Sequence, residues 1–271
     1  MAALADVIAA LERNAPLRLA AEWDAVGLLV GTRRTTIGRV MTCLTLTEPV
    51  AREAVREGVD MVVSHHPLPF RPVARITDDS ATGRVLLELI GAGIAIWSSH
   101  TAWDSAAGGI NDQLAASMQL TRVVPIQPDL VEPAVGVGRA GDAPAGITVA
   151  ELARSLTASL AAADASIAIT GCQIAGDPTR PAGRVGIICG SGGDLVDMVR
   201  SAGCTTLVTG EIRLHDALAA TAAGMSVIAV GHHASERFSM GVLARRLAES
   251  VPGLACFASR EDADPLAWVG V

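Results

Sequence analysis

The chain of 271 residues contains no tyrosine, and aromatic residues make up only 3% of it. Its core must therefore be assembled from Ala, Val, Leu and Ile, in a chain half of whose residues are apolar. Mean hydropathy is positive, yet no run approaches the ~20 apolar residues needed to span a bilayer. The apolar runs are short and end in Gly, Ser, Thr or a charge, so a soluble protein without a membrane partner is expected. No basic run is present and the net charge is −7. That speaks against nucleic acid, whose non-specific binding depends on Lys and Arg neutralising phosphates. The five cysteines, Cys43, Cys172, Cys189, Cys204 and Cys256, show no CxxC spacing. Most lie in apolar runs, where a thiol behaves as a small hydrophobe. Their odd number, and an amino terminus (MAALADVIAALERNAP) without a basic leader region, predict a cytoplasmic protein. Asp6 and Glu12 inside that stretch mark it as an amphipathic helix.

Short apolar runs alternate with helical-period stretches. The predicted strands are VMTCLTLT (40–47), MVVS (61–64), IAIWSS (94–99), RVGIICG (184–190), TTLVTG (205–210) and SVIAVG (226–231). Helices are predicted near 49–57, 83–92, 110–117, 193–201 and 214–223, with another after 234. Unbroken Val/Ile runs indicate strands covered on both faces, as in parallel sheets flanked by helices. The fold class is therefore α/β. The Pro- and Gly-rich stretch 124–147 reads as a boundary or a pair of short strands, and Thr148 opens a helix with capping-box spacing to Glu151. Two α/β domains follow, 1–126 plus 231–271 and 127–230, and their similar rhythm suggests a duplicated half.

The histidines are distributed unevenly. Of six, His65, His66, His100, His232 and His233 stand directly after strand-like runs, and His215 follows another by a few residues. Ligands of open α/β sheets bind outside the carboxyl ends of the strands. Asp104 lies four residues after His100, and Glu236 four after His232; Glu211 and His215 repeat the spacing. On a helix, such pairs share a face with Cβ atoms about 5–6 Å apart. Imidazole with carboxylate suits Zn, Mn, Fe, Co or Ni rather than Ca or Mg. A lone histidine at a strand end is ordinarily a turn residue, and an i,i+4 pair is ordinarily solvated. The combined set instead points to a metal site, with His65 and His66 at a turning strand end able to serve two neighbouring ions.

These motifs resemble those of the NIF-three-like family, also called dinuclear-metal-centre hexameric proteins or GTP cyclohydrolase 1 type 2 homologues. EWDAVGLLVG (22–31), VVSHHPLPF (62–70), SSHTAWDSAAGGINDQLA (98–115), CGSGGDL (189–195), VTGEIRLHDALAA (208–220) and GHHASE (231–236) each resemble a family segment, in order along nearly the whole chain. The resemblance implies two interlinked α/β domains of similar topology with a metal site in the cleft between them, a toroidal homohexamer, and two divalent ions per subunit. It implies metal ligation by His65, His66, Asp104, His232 and Glu236, with Glu236 shared between ions. His100 and His215 match family histidines near the site and are assigned either to supporting the ligands from behind or to proton transfer. The implied activity is that of a metal-dependent hydrolase acting on a small-molecule nucleotide or phosphoester. The alternative is a non-enzymatic hexameric metal-binding or scaffold protein.

Three positions depart from the family pattern: Ala102 replaces an Asn, Glu211 an Asp, with a consequence expected for His215, and His233 an aromatic residue. The glycines of CGSGGDLVDMVR (189–200) sit between a strand and a helix, where amides can hold phosphate. Their spacing fits neither dinucleotide nor P-loop motifs, and a tight, closely packed turn is expected. Cys189 is expected in the core, and Trp23 and Asp24 in a structural role or a subunit contact.

Overall fold

The unbroken Val/Ile runs form two separate sheets in the computed structural model, which describes residues 1–267. The described chain divides into two compact units, Met1–Ala106 with Ser239–Ala263, and Ala107–Phe238 with residues 264–267. Of the domain expected over 1–126 and 231–271, residues 268–271 lie outside the described residues. The fold class is α/β, as the strand periodicity indicated.

In the first unit five strands lie in the order Ala255–Ala258, Arg39–Cys43, Met61–Ser64, Ala95–Ser98, Gly27–Val30. The first four run parallel, and Gly27–Val30 closes the edge antiparallel to Ala95–Ser98. Every residue of Met61–Ser64 and Ala95–Ser98 is buried, which is why these runs show no polar alternation. The strand expected over 40–47 ends at Cys43, because the N–H groups of Leu44 and Thr45 donate to the side chain of Asp262 rather than to a neighbouring strand. Ala255–Ala258 was not visible as a strand in the sequence. Helices Glu48–Arg56 and Ala81–Gly91 place Val50, Ala51 and Ala54, and Val85, Leu86 and Leu89, into one cluster with Met41, Val62 and Ile96. Their spacing is that of a single apolar helix stripe.

The second unit carries six strands in the order Gln173–Ala175, Ser226–Ala229, Thr206–Glu211, Arg184–Ser191, Arg139–Asp142, Thr121–Val124. Ser226–Ala229, Thr206–Glu211 and Arg184–Ser191 are mutually parallel, and the outer strands pair antiparallel. Leu207, Val227, Val199 and Ala220 centre its core. The capping box at Thr148 forms with both reciprocal bonds and opens helix Val149–Ala163. The Pro- and Gly-rich stretch supplies the short strands Gln127–Pro128 and Gly136–Val137 before Arg139–Asp142.

Leu89 has no exposed surface. Leu89→Ala is expected to lower the unfolding free energy by about 2–5 kcal/mol, through lost transfer energy plus a cavity. Thr148→Ala, which removes one cap, should cost about 1 kcal/mol. Urea denaturation of both variants measures the contrast.

Candidate metal centre

Regular strands send successive side chains to opposite faces, so adjacent histidines in a strand diverge. At the end of Met61–Ser64 that regularity stops. The His65 N–H donates to Cys43 O (2.8 Å), and the next N–H, of His66, donates to Leu44 O (2.9 Å) on the same neighbouring segment. The two imidazoles are thereby brought to 5.2 Å between ring centroids. On the other side, His65 O accepts from Ser98 Oγ (2.7 Å) and from the His100 N–H (3.2 Å). This ties the carboxyl end of Ala95–Ser98 to the histidine pair. The His100 ring then lies 5.2 Å from that of His65 and 5.6 Å from that of His66. One ligand nitrogen from each of the three rings lies within 4.8 Å of the others. Asp104, on helix His100–Ser105, brings Oδ1 to 3.6 Å from His65 Nε2.

Asp24 anchors this arrangement. Its side chain has no exposed surface; Oδ1 lies 2.7 Å from His100 Nδ1 and accepts from Ala25 N–H, and Oδ2 accepts from the Thr101 N–H and hydroxyl. Burial pushes this carboxyl up, but the bonds from His100 and Thr101 outweigh it and hold its pKa below the ordinary value. His100 sits at φ +23°, a conformation that L residues rarely adopt and that persists where the surroundings over-determine it. The Asp24 bond and the N–H bond to His65 O supply that determination. His66 Nδ1 lies 2.8 Å from Thr45 Oγ1.

In the second unit, helix His232–Glu236 follows the buried strand Ser226–Ala229. Its i,i+4 spacing brings His232 Nε2 to 3.2 Å from Glu236 Oε2, a carboxylate 4% exposed. The other ring nitrogen, Nδ1, lies 3.1 Å from Glu211 Oε1. The hydrogen bond and charge of Glu236, aided by Glu211 and opposed by burial, raise the His232 pKa to about 9. Two glycines make room for the pair. A Cβ at Gly190, whose φ is +63°, would stand 2.3 Å from Glu236 Oε1 and 3.3 Å from His232 Nε2. One at Gly210 would stand 2.6 Å from Ser235 Oγ and 2.8 Å from His232 Cα.

The donor chemistry fits a divalent transition metal. Metal-binding imidazoles ordinarily have their second ring nitrogen held by a carboxylate or another oxygen, and Asp24, Thr45 and Glu211 stand in those places against His100, His66 and His232. His65, His66, His100 and Asp104 are thus brought together in one unit, and His232 and Glu236 in the other. His100 stands with His65 and His66 in a group that could hold an ion. His215 is exposed near the start of helix Leu214–Ala222, and Glu211, expected to act on His215, reaches His232. His233 and Ala102 are buried. Asp24, Thr45, Gly190 and Gly210 carried no metal-specific spacing. Close packing is what the glycines of 189–195 provide, and at Gly190, within the strand Arg184–Ser191, the group packed against is Glu236.

The sequence profile of Duf34/NIF3 (NGG1p interacting factor 3) matches residues 2–265. A "GTP cyclohydrolase 1 type 2 homolog" of Clostridium perfringens is 30% identical over 267 residues, covering 98% of this chain and 99% of that one. "NIF3-like protein 1" of Drosophila melanogaster is 32% identical over 269 residues, covering 98% and 89%. A Bacillus cereus protein related to NIF3 superposes with a TM-score of 0.88 at 20% identity, covering 98% of each chain.

Two outcomes test this geometry. The His232 pKa lies near 9 in the folded chain against 6.5 ordinarily, so its protonated form favours folding. That contribution is complete below pH 6.5 and is lost as pH rises through about 9. The metal-free protein should lose thermal stability across that window more steeply than Glu236→Gln; parallel Tm–pH profiles would contradict the pairing. Gly190→Ala should leave the fold intact and displace Glu236, lowering divalent metal affinity about 10–100-fold, as read by calorimetric titration.

Proposed function

The chain belongs to the Duf34/NIF3 family, and from that premise we propose that it is a dinuclear metal-dependent hydrolase of a nucleotide or phosphoester substrate. Its ions are held through His65, His66, Asp104, His232 and Glu236. The observation that carries the proposal is the cluster of His65, His66 and His100, whose ligand nitrogens approach within 4.8 Å. Oxygen partners at Nδ1 of His66 and His100 support it. Nucleotide chemistry is supported by the name that several curated relatives carry, GTP cyclohydrolase 1 type 2 homolog.

A divalent ion in such a set supplies Lewis-acid polarisation and lowers the pKa of water toward ~7. The chain's own groups do the rest. Asp24 holds His100 by Nδ1, leaving Nε2 as the nitrogen to move a proton at the leaving group or to join the ligand set. Gly190 and Gly210 keep Cβ atoms out of the space that Glu236 and His232 occupy. His215, exposed on its helix, is a second candidate for proton transfer. Assembly as a homohexamer is part of the same proposal.

Among the described residues, no helix is long and apolar enough to cross a membrane.

Metal analysis of protein purified without added metal is expected to find about two ions per chain, the number a dinuclear hydrolytic site needs. His66→Ala combined with Glu236→Ala should abolish them. A folded wild type that neither contains metal nor takes up Zn or Mn contradicts the proposal. Metal without turnover across a panel of nucleotides and phosphoesters favours the scaffold reading.

A further inference from the structure

The first unit contains a strap whose bonds lead from the far end of the chain to a candidate ligand. After strand Ala255–Ala258, residues 259–262 run along the end of the neighbouring strand Arg39–Cys43, from the Ser259 N–H on Thr42 O to Asp262 beside Leu44. The strap is pinned by Glu53, a carboxylate on helix Glu48–Arg56 that is 2% exposed. Glu53 accepts from the Ser259 hydroxyl, from the Arg260 N–H at 3.0 Å and from the Glu261 N–H at 3.3 Å. Next in the strap comes Asp262, also 2% exposed. Its Oδ2 accepts from the Leu44 N–H at 2.6 Å, 218 positions away in sequence, and its Oδ1 from the Thr45 N–H at 3.3 Å.

The segment so gripped is the one that shapes the histidine pair. Leu44 O receives the His66 N–H, and Thr45 Oγ1 stands 2.8 Å from His66 Nδ1. Thr45 is itself exposed, so packing does little to fix its hydroxyl. Buried carboxylates are costly unless hydrogen-bonded, and Asp262 meets that need with the two N–H groups that would otherwise continue the strand Arg39–Cys43. We propose that Asp262 is a positioning residue for metal binding: through Leu44 and Thr45 it holds the His66 imidazole by Nδ1, so that Nε2 is the nitrogen that takes the metal. The inference rests on the metal-centre reading above, in that His66 must be a ligand.

Co²⁺ titration of the full chain, followed by its visible absorption, tests the inference alongside crystal structures of the metal-free variants. Asp262→Ala should still unfold cooperatively, lose about 10–100-fold in Co²⁺ affinity, as outer partners of metal ligands typically do, and show Thr45 displaced from His66. Thr45→Val should lose a similar amount and Thr45→Ser should restore affinity. The Asp262→Ala/Thr45→Val double variant should lose little more than either single one, because both act along one path. If Asp262→Ala does not fold, Asp262→Asn, which can still accept one of the two N–H bonds, carries the comparison with an intermediate loss. Wild-type affinity in the folded Asp262 variant, additive losses, or Thr45 still seated against His66 would overturn the inference. If the wild type takes up no Co²⁺, the metal reading fails by itself and the crystal structures decide the positioning: Thr45 displaced supports it, Thr45 in place overturns it.

Discussion

Two consecutive N–H groups, those of His65 and His66, donate to two consecutive carbonyls of one neighbouring segment, Cys43 and Leu44. A continuing strand would alternate its partners and its side chains. The break in alternation at this point sets two imidazoles 5.2 Å apart at the carboxyl edge of a parallel sheet, where α/β folds bind their ligands. Other features of the first unit depend on it. His65 O, freed from the regular ladder, receives the His100 N–H, and His100 brings Asp104 with it on the same short helix. The neighbouring strand must end at Cys43 so that Leu44 can offer its carbonyl to His66.

Buried carboxylates hold this irregular backbone in place. Asp24 and Asp262 each accept main-chain N–H bonds from segments that have left the sheet, and Glu53 does the same for the strap after Ala258. Such groups are expensive to bury without partners and strongly directional once partnered. They therefore fix loops that apolar packing cannot. The second unit reaches a similar end by another route: its carboxylate Glu236 is accommodated by the missing side chain at Gly190, the backbone of His232 by that at Gly210, and helical spacing sets Glu236 against the His232 ring.

Much of the architecture could be read from the chain. Met61–Ser64, Arg184–Ser191 and Ser226–Ala229 are unbroken apolar runs because both of their faces are covered, and that leaves a direct trace in composition. The spacings His100 to Asp104 and His232 to Glu236 are legible because a helix converts four residues into one turn. Ala255–Ala258 was not legible: two alanines, a cysteine and a phenylalanine carry little strand signal, and the segment becomes a strand because Arg39–Cys43 offers it an edge. Asp24 and Thr45 were missed as parts of the site for a related reason. Their partners, His100 and His66, lie 76 and 21 positions away, and no local period links them.

By itself, then, the sequence determined the α/β class, the strand ends that carry the histidines, and the carboxylates that follow them by one helical turn. These are consequences of short-range periodicity, and periodicity is written in the order of residues. Tertiary structure decided which oxygen partners the imidazoles of His66, His100 and His232 have, why the strand stops at Cys43, and how Gly190 makes room for Glu236. Those depend on hydrogen bonds and close approaches between residues far apart in the chain. Their energies exist only once the sheets have brought those residues within about 3 Å of each other.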